Sequence, residues 1–190
     1  MLQDQLVTLI YLVQHGDKEP GAGDPGLTAL GTRQADLTAK WLRERGLHGL
    51  YSSPLRRAQE TAARIAAATD LAAQVDNRLR ERLNWDGSQT LDAFLADWRR
   101  STHDRDFVLS NGESSCSAGQ RLRAFVGDLT RRCGPVGAVT HGGVTTDLLR
   151  TLLGDHMLPA HLLDDGIPAC AITTLNDLDV VAIAATGHLS

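Results

Sequence analysis

Two histidines, His15 and His141, stand at the ends of two apolar runs, and each is followed by a glycine, Gly16 or Gly142. A neutral imidazole nitrogen can accept a phosphoryl group, because histidine with an ordinary pKa of about 6.5 is largely unprotonated at neutral pH. The glycines let backbone N–H groups approach an anion closely. The pairing predicts one phosphate-handling pocket, although a single buried histidine is more often structural than catalytic.

The runs before these histidines have the character of buried strands. Residues 6–13 are apolar and rich in β-branched side chains, but they fall short of the ~20 residues that cross a membrane. Residues 137–140 are a shorter run of the same kind. Ligands in α/β proteins lie beyond the carboxyl ends of parallel strands, so both histidines are expected at that edge of one sheet.

Helical and strand patterns alternate along the rest of the chain. Helices are expected at 29–45 after a Thr28 N-cap, at 53–68 with Ser53 as N-cap and Pro54 in the first turn, and at 91–100, 115–132 and 144–153. Strands are expected at 47–52, 72–75, 168–175 and 180–185. The alternation predicts an α/β fold, a three-layer sandwich whose mainly parallel sheet has helices on both faces.

Composition narrows the class of protein. The 190 residues fit a single domain, 1–190, without a proline- or serine-rich linker. A net charge of -4 argues against nucleic acid or an anionic membrane as an electrostatic partner. Cys116, Cys133 and Cys170 form no CxxC pair, and we see neither a signal peptide nor a transmembrane segment, so a reducing, cytoplasmic location is expected.

Several short motifs occur in the order typical of one family. They stand at residues 14–16, 27–31, 34–35, 52–58, 61–62, 79–81, 112–114 and 141–143. On these motifs the chain, from residue 6 to about 153, resembles the histidine phosphatase superfamily, whose best-known branch is the phosphoglycerate mutases. The resemblance implies a phosphoglycerate mutase-like fold, a small phosphorylated substrate, a homodimer and a lid-like insertion around residues 85–111. Trp85 and Trp98 of that insertion could cover the pocket, although packing is their commoner role.

The resemblance also implies roles for individual residues. His15 is the nucleophile, Glu81 protonates the leaving alcohol, and Arg57 with His141 stabilises the transferring phosphoryl group without a metal or other cofactor. Arg56, one residue before Arg57, is expected about 100° away on the helix, toward solvent. Without the resemblance, Glu81, which stands between two arginines, would more often be interpreted as a surface ion-pair residue. The implied phosphate-binding set is Gln14, Gly16, Arg57, His141 and Gly142.

Gln14 departs from the family, which has an arginine at this place in its first motif. Glutamine keeps a hydrogen-bond donor but loses the positive charge and the two-pronged geometry. Loss of one charge-assisted hydrogen bond, about 1.5 to 3 kcal/mol, lowers binding or rate by roughly 10- to 150-fold. A phosphomonoester phosphatase with weakened activity is therefore expected.

Two alternatives keep the same fold. One is a non-catalytic member that binds phosphorylated ligands without turning them over. The other is a phosphoglycerate-type mutase, although the first motif continues with Asp17 and Lys18, whereas those mutases have an extended motif ending in Trp-Asn.

Two further alternatives rest on other chemistry. Gly21, Gly23 and Gly26 spell GxGxxG, but a dinucleotide-binding motif needs its first glycine directly after the strand. A metal hydrolase could use His15, Asp17 and His141, but no HxH or HExxH spacing supports it.

Overall fold

The computed structural model describes residues 8–130 and 134–190. The start of the first expected strand, the end of the helix expected at 115–132 and Cys133 therefore lie outside the described residues. The helices are α1 (Ala29–Arg43), α2 (Arg56–Thr69), α3 (Leu91–His103), α4 (Ser115–Leu129), α5 (Gly142–Leu153) and α6 (Ala160–Asp164). The strands are β1 (Leu9–Gln14), β2 (Gly49–Ser52), β3 (Ala73–Val75), β4 (Val136–Thr140), β5 (Ile172–Asn176) and β6 (Asp179–Ala185).

These strands form one six-stranded sheet in the order β3-β2-β4-β1-β5-β6. The first four are mutually parallel, and β5 and β6 continue the sheet antiparallel. The mainly parallel sheet is confirmed, with an antiparallel hairpin at one edge. In the β1–β4 register Gln14 pairs with Thr140, so the next residues, His15 and His141, leave the sheet side by side.

Alternation along β1 divides the core between the two faces of the sheet. Ile10 and Leu12 pack with α4 and α5 on one face, whereas Tyr11 and Val13 pack with α1 and α2 on the other. This arrangement gives the expected three layers. None of the helices in the two described ranges is long and apolar enough to cross a membrane.

The expected N-cap of α1 is confirmed, and α4 has a cap of the same kind. Thr28 accepts a hydrogen bond from the Gly31 N–H, and Ser114 accepts one from the Ser117 N–H. Each side chain satisfies one of the amides that the first turn of a helix leaves free.

The expected start of α2 was wrong. The helix begins at Arg56, and Leu55, its N-cap residue, makes no side-chain cap bond. The Ser53 N–H instead donates to the Val139 carbonyl 2.9 Å away, so Ser53 continues the edge of the sheet. A serine followed by proline fits a helix start equally well, and the sequence gives no sign of this sheet contact.

Two other helix boundaries also differ from those expected from the sequence. The helix α3 extends to His103, where a polar turn from residue 101 was expected, because the Ser101 and Thr102 hydroxyls donate back to the Trp98 carbonyl. The helix α5 begins at Gly142 rather than at residue 144, so its first turn directly follows His141.

Candidate active site

The backbone of His15 is fixed by both neighbours of β1. Its N–H donates to the Thr140 carbonyl at 3.1 Å, and its carbonyl accepts from the Cys170 N–H at 3.1 Å. The Gly16 N–H donates to the Thr61 hydroxyl of α2 at 3.0 Å. The histidine therefore stands where the parallel strands meet the antiparallel hairpin, and it does not move independently of the sheet.

The two ring nitrogens of His15 have different partners, and these define the tautomer. Nδ1 lies 2.7 Å from the Gly16 carbonyl, which can only accept, so Nδ1 carries the proton. Nε2 lies 3.1 Å from Nε of Arg57, which can only donate, so Nε2 holds a lone pair. This is the tautomer that an Nε2 nucleophile requires.

Burial and a neighbouring cation keep His15 uncharged. The ring is 8% exposed. Burial, followed by the positive charge of Arg57, lowers the pKa of His15 to about 4, whereas the bond to Gly16 acts in the opposite direction. The imidazole is therefore neutral throughout the physiological pH range.

Arg57 links His15 to the loop that follows β3. Its side chain is 5% exposed, and Nη1 donates to Oδ1 of Asn84 at 3.2 Å and lies 3.8 Å from a carboxylate oxygen of Asp24. Arg56, as expected, points outward, where it pairs with Glu60. Arg57 thus presents a buried positive charge beside the nucleophile.

His141 lies beside His15, with ring centroids 5.2 Å apart. Its Nε2 is 2.7 Å from the Ser53 hydroxyl, while its buried Nδ1 has no hydrogen-bond partner among the described residues. Burial, followed by electrostatic interaction with His15 and Arg57, holds the pKa of His141 well below its usual range. Two neutral imidazoles and one guanidinium therefore meet at the site.

Glu81 caps the N-terminus of α5. Its two carboxylate oxygens accept from the N–H groups of Gly143 at 3.0 Å and Val144 at 2.9 Å, and one of them also accepts from the Arg82 N–H at 2.8 Å. The alternative of a surface ion pair with a flanking arginine is wrong, since Arg80 pairs with Glu113 and Arg82 with another carboxylate. These bonds hold Glu81 against the first turn of α5, which directly follows His141.

Glu81 also lines the cavity above His15, which we call the front cavity. Its volume is about 340 Å³. Its polar lining comes from His15, Lys18, Arg57, Glu81 and Asn84, and most of its apolar lining comes from Leu83, Trp85 and the side chains of α3. The structure thus brings together His15, Arg57 and Glu81 around one space, with His141 adjacent.

Gln14 faces a second space, the rear cavity, of about 250 Å³. Glu81 and Trp98 line both cavities and stand between them, and Arg82 and Thr146 also line the rear one. The Gln14 amide nitrogen is 3.4 Å from Nε2 of His15, and its buried Oε1 has no hydrogen-bond partner among the described residues. Gly142, the last residue of the expected phosphate-binding set, borders the same space.

Some residues of the site region were not identified from the sequence. Ser53 and Asn84 contact the candidate catalytic side chains, and a buried ion pair joins Arg82 to Asp147 at 2.8 Å. Burial raises the pKa of Asp147 to about 6, against the opposing effect of Arg82. Of these residues, Asn84 was the easiest to find from the sequence, because it stands three residues after Glu81 of a recognised motif.

The glycines that spell GxGxxG do not form a nucleotide-binding turn. They lie in the long loop between β1 and α1, where the Gly23 N–H donates to the Trp85 carbonyl at 2.8 Å. Asp17, offered as a metal ligand, accepts a hydrogen bond from the Thr28 hydroxyl at 2.7 Å. Across residues 8–130 and 134–190, no group of three or more His, Cys, Asp or Glu side chains is placed to hold a metal ion.

Comparison with known proteins identifies close relatives. A probable phosphoglycerate mutase, GpmB, of Yersinia pestis is 35% identical over 170 residues, which cover 80% of this chain and 76% of the relative. A mycobacterial glucosyl-3-phosphoglycerate phosphatase solved with inorganic phosphate is 27% identical, with a TM-score of 0.76 and coverage of 96% of this chain and 99% of that one. A phosphoserine phosphatase of Entamoeba histolytica, 23% identical, shares the fold, with a TM-score of 0.74 and coverage of 96% and 100%.

A family model extends the match across most of the sheet and both histidine motifs. It is described as the histidine phosphatase superfamily (branch 1) and matches residues 10–177. The matched region runs from β1 to the turn after β5. The chain therefore belongs to the histidine phosphatase superfamily.

Proposed function

We propose that this protein is a metal-independent phosphomonoester phosphatase that acts through a phosphohistidine on His15. The observation that carries the proposal is the lone pair on Nε2 of His15, which is oriented by Gly16 and kept unprotonated by burial. A fixed, neutral imidazole at the polar end of a cavity is a competent phosphoryl acceptor.

The arrangement supports a two-step reaction. Nε2 of His15 attacks phosphorus, the bond to the ester oxygen breaks, and protonated Glu81 gives its proton to the leaving alcohol. Arg57 and His141 stabilise the equatorial oxygens of the phosphoryl group. Water then attacks the phosphohistidine, returns a proton to Glu81 and releases phosphate. Gln14 and Gly142 complete the proposed phosphate-binding set. Gly16, expected in that set, is engaged with the Thr61 hydroxyl and His15 instead, and its role in the proposal is to orient the imidazole.

A metal cation is not needed in this scheme, and the site disfavours one beside the nucleophile. The guanidinium of Arg57 already donates to Nε2 of His15 and would repel a second cation there. We further propose one domain over residues 1–190, with residues 85–111 as its lid, and a homodimer in the cytoplasm.

A phosphoglycerate-type mutase is the second candidate, and the 35% identical probable mutase favours it. The two activities differ in the acceptor of the phosphoryl group, which is water in a phosphatase and a substrate hydroxyl in a mutase. If the protein releases free phosphate from a single ester and forms no second phosphorylated product, the activity is that of a phosphatase and not of a mutase.

The test is phosphoryl labelling with turnover in the same sample. We expect a ³²P-labelled monoester to label the protein with an acid-labile, base-stable group and to release phosphate, with and without a strong chelator. His15→Ala abolishes both signals, and His156→Ala, at an exposed histidine, abolishes neither. Turnover that persists in His15→Ala overturns the phosphohistidine, and turnover that the chelator removes overturns metal independence. Phosphate binding without any turnover identifies the non-catalytic alternative.

A further inference from the structure

The far end of the front cavity is apolar and aromatic. Three rings form a row there, with the Phe94 centroid 6.3 Å from that of Trp85 and 6.1 Å from that of Trp98. Leu91 and Leu95 of α3 line the same end and are 47% and 39% exposed. Large apolar side chains left open to solvent next to a catalytic centre are typical of ligand-binding surfaces.

Charge in this cavity is confined to the opposite end. The charged side chains that line it are Lys18, Arg57 and Glu81, all near His15. Arg57 is engaged with His15 and Asn84, and Glu81 with the first turn of α5. Among the described residues, the Lys18 ammonium makes only a 3.4 Å hydrogen bond to the Glu19 carbonyl, so it is the cation that a second anionic group near His15 would meet. A carboxylate or second phosphate that lay farther out, among the aromatic side chains, would lose its water without gaining a cation.

We propose, on the basis of the phosphatase activity proposed above, that the substrates are phosphomonoesters of alcohols bearing an aromatic or extended apolar group. The phosphate lies against His15 and Arg57, and the apolar group packs on Phe94 in the row of rings. Burial of a phenyl-sized group against this wall strengthens binding by roughly 10- to 100-fold. Polar esters, such as phosphoglycerates, lack this contribution.

The test compares esters whose alcohols are almost equally acidic, so that the chemical step is matched. We expect phenylpropyl phosphate to have a kcat/KM at least about tenfold above that of propyl phosphate, with most of the difference in KM. Glycerol phosphate, which is similar in size to propyl phosphate but more polar, should not exceed propyl phosphate.

Variants of the lining locate the effect. Phe94→Ala lowers kcat/KM for phenylpropyl phosphate about tenfold and leaves propyl phosphate within about twofold. Phe107→Ala is the matched control, since Phe107 lies in the same segment but packs under Arg100, with the guanidinium carbon 3.9 Å from the ring centroid, and does not line the front cavity. If Phe94→Ala disturbs folding, Leu95→Gln, at a partly exposed position, is the second variant. It should show the same selective loss of kcat/KM for phenylpropyl phosphate.

The outcomes separate this inference from the function on which it rests. Turnover that depends on His15 but shows no preference for the phenylpropyl ester overturns the inference alone. An equal loss in Phe107→Ala, or a preference for glycerol phosphate, does the same. Absence of turnover with all three esters overturns the proposed function and the inference together.

Discussion

His15, the proposed nucleophile, has two neighbours with opposite effects on its pKa. The Gly16 carbonyl orients the ring and raises its pKa, whereas burial and Arg57 lower that pKa to about 4. The lowering dominates, so the lone pair on Nε2 is present at every pH at which the protein would work. Arg57 therefore has two effects in the proposed reaction, because its charge adds to the effect of burial on the pKa of His15 and is also available to bind phosphate.

Substitution of Gln14 is expected to raise the phosphatase activity proposed above. We expect Gln14→Arg to increase kcat/KM for phenyl phosphate by roughly 10- to 150-fold, because it adds one charge-assisted hydrogen bond to the phosphoryl group. The longer side chain has room, since Gln14 borders the rear cavity, which holds about 250 Å³. Steady-state kinetics on both proteins measures the change.

Gln14→Met is the control for this increase. It has about the length of glutamine but no charge and no donor, so it should not exceed the parent. A rate for Gln14→Arg at or below that of the parent would contradict the phosphate-binding role proposed for this position.

At the level of elements, the site requires close contact between α1 and the loop after β1. A Cβ on Gly31 of α1 would lie 1.9 Å from the Asp17 carbonyl oxygen, and one on Gly16 would lie 2.5 Å from the Gly31 carbonyl oxygen. The two glycines therefore allow the backbone that follows His15 to pass directly over the first turn of α1.

Gly31→Ala should consequently destabilise the protein by about 1 to 3 kcal/mol, because backbone has to move to relieve the contact. Gly127→Ala is the matched control, since Gly127 lies in α4 with open space around the added Cβ. It should stabilise by about 0.5 to 1 kcal/mol through helix propensity. Urea unfolding of the parent and the two variants measures both changes in unfolding free energy. Equal changes in the two variants would contradict the close contact.

At the level of the whole molecule, one buried ion pair joins parts of the chain that are distant in sequence. Arg82 donates to both oxygens of Asp147 in α5 and to the Thr102 hydroxyl of α3, and the Ser115 hydroxyl of α4 donates to Asp147 at 2.6 Å. The loop that carries Glu81 is thereby attached to three helices. This pair also holds the proposed lid segment against the rest of the domain.

Arg82→Met should cost about 3 to 5 kcal/mol near pH 8, because it leaves a buried carboxylate without its cation. The pKa of Asp147 is already raised to about 6, and loss of Arg82 raises it further. Below that pH Asp147 is protonated in both folded proteins, so the difference in unfolding free energy shrinks toward pH 5.

Arg64→Met is the control for this pH dependence. Arg64 pairs with Asp36 at 2.6 Å, but both side chains are about half exposed, so its loss should cost less than about 1 kcal/mol. Chemical denaturation at pH 5 and pH 8 compares the variants. If the loss of unfolding free energy in Arg82→Met increases as the pH falls, the assignment of the pH dependence to Asp147 is contradicted.

The parts of this fold that follow from local pattern were predictable from the sequence. The run before His15 has the composition of a buried strand and Thr28 is a good N-cap, so the described part of β1 and the starts of α1 and α4 were located correctly. The side-by-side arrangement of His15 and His141 followed from a rule for parallel sheets. Arg57 and Glu81 were singled out only through the family resemblance.

Contacts between distant parts of the chain were not predictable in this way. The partner of Arg82 lies 65 residues away, and no periodicity relates the two. Ser53 was taken for a helix cap because its bond to His141 depends on the order of β2 and β4 in the sheet. The row of rings formed by Trp85, Phe94 and Trp98 likewise depends on how α3 lies over the site and against the preceding loop, which a single sequence does not encode locally.

The position of Glu81 has a consequence for the order of events. Its carboxylate occupies the first-turn amides of α5, the kind of place where a helix N-terminus binds phosphate. The empty enzyme thus carries its own anion there, and an incoming phosphate competes with it for the same amides. In the proposed reaction Glu81 has to leave α5 to reach the ester oxygen, and a phosphate that took its place on these amides would free it to do so. Under that proposal, phosphate binding and release of the acid occur together, so Glu81 would not donate its proton before a substrate has bound.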